Sequence, residues 1–358
     1  MKIQKLTFTL LTLSIVSFFS SVDVKSDSFP PLPEALDALV SDDSVTVREV
    51  EVEQWEEGSN FYYAFEPNSA DPTIGFIIYP GAYVDPRSYA PPAHEIAAEG
   101  YLTVIVKMKN DLAIGKSAKR ADKIISDYGR IKKWTIGGHS MGGAGACYYA
   151  KNFTDKVDGV VLWAAYPSED WRIDDKDLKA ISIYGTKDGV CTLDEIEESK
   201  EHLPPDTQFV PIEGGNHTQF GWYDTSPDPV QPGDNEADIT REEQQEQIIQ
   251  ATVDFLEIFK GGGCLVVSLL GEDDPHLDTI RQFRDKVLTK KAIGRKLIEH
   301  YYKNGERIIA IFDRNPTIKK SAKKILGSLI PAIEFLVKGR ELSFHSTPQL
   351  EFHDSCNK

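Results

Sequence analysis

Between residues 73 and 212 the chain alternates short, almost wholly apolar runs with longer amphipathic segments. The runs cover residues 73–79, 102–107, 134–136, 159–164, 181–184 and 209–212. Helix-like stretches at 93–99, 115–128, 143–151 and 193–202 lie between them. Strands with no polar face cannot line a half-solvated sheet. They predict a mostly parallel sheet with helices on both faces, an α/β fold. Two earlier segments, 44–52 and 61–65, read as a strand and its hairpin neighbour. A last amphipathic segment, about 241–259, closes the unit.

The glycine run at 261–263 marks a boundary. Beyond it, Leu277, Ile280, Phe283, Val287 and Leu288 recur near helical spacing, as do Ile293, Leu297, Ile298 and Tyr301. Another helical pattern spans 317–337, with Pro331 expected to kink it. The expected organisation is an α/β domain at 33–259, a glycine linker at 260–263, a helical module at 264–340 and an irregular tail at 341–358. The chain's 358 residues and 41% apolar content suffice for such a core. Charge divides at the same place. From Cys264 onward there are 17 Lys and Arg against 12 Asp and Glu, while the net charge of the whole is -16. The acidic first part argues against nucleic acid as a partner.

Residues 1–26 read as a signal peptide, with Lys2 and Lys5 ahead of an apolar run from Leu6 to about Phe19. An uncleaved N-terminal anchor is the alternative. Either predicts export, to the medium, a periplasm or the cell surface. Cys147, Cys191, Cys264 and Cys356 fit no zinc spacing, and their pairing is open.

The run at 134–136 leads into "IGGHSMGG", with Ser140 between Gly138 and Gly142. A serine on a sharp strand-to-helix turn is the context of a nucleophile elbow, where a Cβ at either glycine would crowd the turn. A serine hydroxyl is a weak nucleophile without a base, and the base needs a carboxylate to orient it. Asp188 lies in "GTKDG" after the fifth apolar run and His217 in "GGNHTQFG" after the sixth. The order Ser, Asp, His, at spacings of 48 and 29 residues, sets each after a separate strand. Taken singly, each has a plain reading as a turn serine, a turn aspartate or a solvated histidine. The order and the three strand ends together favour a catalytic triad.

An oxyanion hole needs two aimed backbone N–H groups. Met141 should supply one. The other should come from "YPGAYVDPRSY", at Ala82 or Tyr83. Tyr83, Tyr89 and Trp222 are candidates to line the substrate pocket, with packing as their equal alternative. The glycosylation patterns at Asn152 and Asn216 carry no weight, since the second contains the proposed base. No P-loop, dinucleotide fingerprint or metal-ligand cluster occurs, so neither cofactor nor metal is implied.

Residues from about 36 to 256 resemble a bacterial α/β-hydrolase family often labelled alpha/beta hydrolase fold-5. The resemblance runs through "YPGAYVDPRSYAP", "GYLTVIVKM", "IGGHSMGG", "VDGVVLWAAYP", "SIYGTKDG", "EGGNHTQFGWY" and "ITREEQQEQ". It implies the α/β-hydrolase fold, with Ser140 as nucleophile, Asp188 as acid and His217 as base. One departure stands out: Gly81-Ala82-Tyr83 replaces the paired glycines of relatives. The tail resembles a CFI-box module through "RQFRDKVL" and "GRKLIEHYY", although Leu and Val follow Cys264 where the module has Phe and Ile.

The expected function is hydrolysis of a small-molecule acyl substrate, a carboxylic ester first of all, through an acyl-enzyme. The same triad also serves amidases, peptidases and thioesterases, and the fold can be kept for binding alone. The acidic stretch 224–238 should disfavour polyanionic substrates. Membrane or cell-surface association, through the N-terminal segment or the C-terminal module, is left open, as is the oligomeric state.

Overall fold

The apolar runs are strands. The computed structural model describes residues 28–259 except 54, 56–59 and 70, and residues 265–341 except 272–273, 290–293, 295, 299–300, 302–304, 306–307, 310 and 313. The expected signal peptide at 1–26, the expected linker at 260–263, Cys264, Cys356 and the tail beyond 341 lie outside the described residues. The chain divides into two compact units, Met1–Phe259 and Lys260–Lys358.

In the first unit eight strands form one sheet. They are β1 (Val45–Glu51), β2 (Phe61–Pro67), β3 (Ile74–Tyr79), β4 (Leu102–Val106), β5 (Lys133–His139), β6 (Gly159–Trp163), β7 (Lys179–Gly185) and β8 (Gln208–Ile212). Their order is β1-β2-β4-β3-β5-β6-β7-β8. β1 and β2 run antiparallel to their neighbours, and all pairs from β4 to β8 are parallel. Every residue of β3, β4 and β6 is buried, as strands covered on both faces must be.

Each face carries its own helices. On one side α1 (Ala90–Ala98) and α5 (Arg241–Leu256) pack Ala93, Ile96, Ile248 and Phe255 against Phe76, Ile78, Val161 and Ile183. On the other, α2 (Ala121–Asp127) and α3 (Met141–Asn152) pack Ile124, Ala146 and Tyr149 against Ile77, Val104, Ile136 and Leu162. A further helix, α4 (Leu193–Ser199), opens on a capping box between Thr192 and Glu195.

The chain steps from β3 out to β4 and returns to the other side of β3 as β5. Strand order therefore reverses at β3 and β5. Their carboxyl ends flank the crevice where open α/β sheets bind ligands.

Several boundaries differ from those expected, among them those of β5 and α2. β5 continues through Gly137 and Gly138 to His139, each paired with β6. Those glycines do not end the strand, because their lack of a Cβ lets β3 and β6 approach it. Segment 115–128 is a 3-10 turn, Ser117–Arg120, followed by the shorter α2.

The second unit holds α6 (Leu265–Leu270), α7 (Leu277–Phe283) and α8 (Pro316–Glu341), and Pro331 lies within α8. Ile330 and Val337 of α8 are buried, whereas Ile318, Ile325, Leu329 and Leu336 form an exposed apolar stripe. No helix among the described residues is long and apolar enough to cross a membrane.

Candidate active site

β5 delivers Ser140 to the crevice. The strand ends at His139 and α3 begins at Met141, so one residue makes the whole turn. Ser140 has φ 53° and ψ -124°, a conformation that costs a non-glycine residue about 1–3 kcal/mol. Its N–H donates to the Trp163 carbonyl at 2.9 Å and its carbonyl accepts from Ala144 at 3.2 Å, which fixes the turn at both ends.

The flanking glycines are required by a neighbour rather than by the turn alone. A Cβ on Gly138 would lie 2.1 Å from the Tyr79 carbonyl oxygen. A Cβ on Gly142 would lie 2.0 Å from the same oxygen and 2.5 Å from that of Pro80. The elbow is thus pressed against the end of β3, where the loop expected to hold the second oxyanion donor begins.

In that loop the Gly81 N–H donates to the Tyr89 hydroxyl at 3.0 Å, and the Tyr83 N–H to the Asp111 carbonyl at 3.0 Å. Neither is available to a substrate. The Ala82 and Met141 N–H groups donate to no protein group among the described residues. Of the two residues expected to offer the second donor, Tyr83 has its N–H bonded within the protein and Ala82 does not.

Asp188 and His217 follow β7 and β8, and the structure brings them together. Asp188 Oδ2 lies 2.8 Å from His217 Nδ1. Its Oδ1 accepts from the Val190 and Cys191 N–H groups at 2.8 and 2.6 Å. The carboxylate is therefore fully satisfied and its orientation fixed. The His217 ring lies 4.5 Å, centroid to centroid, from the ring of His139, the residue before Ser140. His217 Nε2 is buried and has no hydrogen-bond partner among the described residues. Burial would pull the His217 imidazole down, but the Asp188 charge and hydrogen bond outweigh it and hold the imidazole above its ordinary value. His139 goes the other way: burial, then the neighbouring His217, push it far down and keep it neutral.

Several further residues shape the site. Tyr89 is fully buried, and its hydroxyl lies 2.8 Å from His139 Nδ1. It ties the loop after β3 to the strand end, the packing role that stood as the alternative to a substrate-lining one. Gln244 on α5 holds both backbone groups of Asn216, at 3.0 and 2.8 Å. Asn216 is itself fully buried, with its amide on the Asn235 carbonyl at 2.7 Å, which suits packing and not glycosylation. Arg241 donates to the carbonyls of Thr218 and Gly221 and stacks 5.8 Å from the Trp222 ring. Trp222 is half-buried and Tyr83 likewise, beside Ala82. Cys147 and Cys191 are buried free thiols, and burial drives both thiols up and keeps them protonated. No cluster of ligating side chains that could hold a metal ion occurs among the described residues.

A doubly wound sheet with an antiparallel edge, a serine on a one-residue turn after its central strand, and an aspartate and a histidine after two later strands define the α/β-hydrolase fold. Residues 75–246 match the model of the alpha/beta hydrolase family. Among solved structures, the chain is similar to a predicted CIB-like hydrolase from Thermoplasma acidophilum, with 17% identity, 59% of this chain and 98% of that one covered, and a TM-score of 0.44. It is also similar to a dienelactone hydrolase from Anabaena variabilis, with 15% identity, 59% and 96% coverage and a TM-score of 0.45. A third is MGS-M1, an alpha/beta hydrolase enzyme from a Medee basin deep-sea metagenome library, with 16% identity, 60% and 98% coverage and a TM-score of 0.44. No curated protein matches the chain by sequence.

Proposed function

We propose that the protein is a serine hydrolase that cleaves carboxylic esters through an acyl-enzyme. The observation that carries this reading is the 2.8 Å bond between Asp188 and His217, with His217 against the strand end that presents Ser140. In the proposed mechanism Ser140 Oγ attacks the acyl carbonyl while His217 Nε2 takes its proton. Asp188 holds the imidazole in the tautomer with Nε2 free and stabilises it once charged. The Met141 and Ala82 N–H groups receive the developing oxyanion. His217 then protonates the leaving alkoxide, and water activated by the same imidazole releases the acid. The bond from Nε2 to Ser140 forms as substrate enters. Such bonds are commonly long before a ligand is bound.

Esters are the minimal substrate class. The ester carbonyl is the more electrophilic, so a triad able to cleave an amide cleaves the matched ester as well. A panel of matched esters, amides and thioesters, with Ser140→Ala as control, tests the assignment. Ester turnover that disappears in the variant supports it. Turnover confined to thioesters, or equal in the variant, overturns it.

We also read the protein as exported, on its basic-then-apolar N-terminal segment. The C-terminal unit is read as a CFI-box-like module that attaches the hydrolase to a surface or partner. The exposed stripe on α8 supports this reading. Truncation at Gly261 followed by cell fractionation tests it, and unchanged localisation counts against attachment.

A further inference from the structure

The stretch 224–238 reads in the sequence as a solvated acidic loop, yet one of its carboxylates is turned inward. Asp234 Oδ1 accepts from the Gly189 N–H at 3.1 Å, the His217 N–H at 3.2 Å and the Asn235 N–H at 2.9 Å. Its Oδ2 accepts from the Thr218 N–H at 2.7 Å and the Thr218 hydroxyl at 2.6 Å. Gly189 directly follows Asp188, so a single side chain spans both loops that carry the acid and the base. The residues around it span the same pair. Asn235 Nδ2 donates to the Lys187 carbonyl at 3.0 Å, and Asn216 donates to the Asn235 carbonyl at 2.7 Å. A Cβ on Gly189 would lie 2.5 Å from the Gly233 carbonyl oxygen, so the segment lies flat on the acid loop.

We propose that Asp234 is a positioning residue that locks the acid-bearing loop to the base-bearing loop and sets a second negative charge behind His217. This rests on the reading of Ser140, Asp188 and His217 as a triad. The loops leave different strands, so the separation of Asp188 and His217 is set by whatever joins them, and Asp234 joins them directly. Four N–H groups and one hydroxyl donate to its oxygens, and such charge-assisted bonds hold fixed backbone groups firmly. The charged and titratable groups facing His217 are Asp188 from the β7 loop, Glu195 from α4, His139 from β5 and Asp234. Arg241 of α5 donates to the carbonyl of Thr218, one residue on. The Asp234 charge acts in the same direction as that of Asp188, favouring the imidazolium that forms as Ser140 attacks.

Asp234→Asn tests this in the full chain. The variant removes the charge and turns an NH2 group toward donors. Two readings are taken: the His217 imidazole titration by NMR, and kcat and KM on an ester that the wild type cleaves. The expected result is a His217 midpoint lower by about 0.5 pH, with kcat reduced about tenfold and KM within about twofold. Either the midpoint or kcat remaining at its wild-type value overturns the proposal. Should the variant not fold, Thr218→Val removes one donor at nearly constant shape. A kcat about threefold lower at unchanged KM then supports the proposal, and wild-type kcat overturns it. The titration needs no turnover. If the wild type proves inactive, the triad reading fails by itself, and the His217 midpoint still decides whether Asp234 acts on that residue.

Discussion

Ser140 follows β5, whereas Asp188 and His217 follow β7 and β8, and different forces position them. Ser140 is placed by steric fit. A one-residue turn at φ 53° is held where β3 and β5 approach so closely that no Cβ is tolerated at Gly138 or Gly142. Asp188 and His217 are placed by hydrogen bonds: the Val190 and Cys191 N–H groups donate to Asp188, the His217 N–H donates to Asp234, and Gln244 holds Asn216 beside it. Packing defines position through the whole fold and fails with it. A polar network can lose a member while the sheet stays intact. Damage to the first region should therefore be read in stability, and damage to the second in rate and pH dependence.

The largest separation of these effects is expected at Asp188→Asn. The amide keeps the shape but turns His217 to the wrong tautomer, so kcat should fall about 10³–10⁴-fold with the unfolding midpoint almost unchanged. A comparable loss of stability would break the contrast. Gly142→Ala should do the reverse. A methyl group at 2.0 Å from a carbonyl oxygen cannot be accommodated without moving β3, at about 3 kcal/mol, measured by denaturant unfolding.

How much of this was legible in the sequence follows the same division. The apolar runs and the glycines around Ser140 record packing, which leaves periodic and compositional traces. The sheet, its covering helices and the order of the three candidate residues could therefore be read directly. Asp234 and Gln244 leave no such trace. A carboxylate that accepts from backbone N–H groups two loops away has the same local sequence as one in solvent. Tyr89 was ambiguous for a related reason, since an aromatic residue in a loop has the same spelling at a pocket wall and beneath a strand end. Only the turn at Pro86–Tyr89 rolls it inward.

Tyr89 is where the two regions meet, and its test is milder. Tyr89→Phe leaves the Gly81 N–H and His139 Nδ1 without their buried partner. It should cost about 1–3 kcal/mol in unfolding, with a smaller effect on kcat than Asp188→Asn. The smallest effect to resolve is the pH profile. Only neutral His217 can accept the serine proton, and its folded-state midpoint lies above the ordinary value of 6.5. Activity should therefore fall as pH drops, with the acid limb of kcat/KM centred above 6.5. A limb centred below that value would contradict the balance of burial and Asp188 charge described for His217.

Whether Ser140 is an activated nucleophile is decided by labelling of the purified protein with a fluorophosphonate probe. Stoichiometric labelling of the wild type is expected, located at Ser140 by peptide mass spectrometry and lost in Ser140→Ala. A folded wild type that does not label, or a variant that labels equally, would contradict that role.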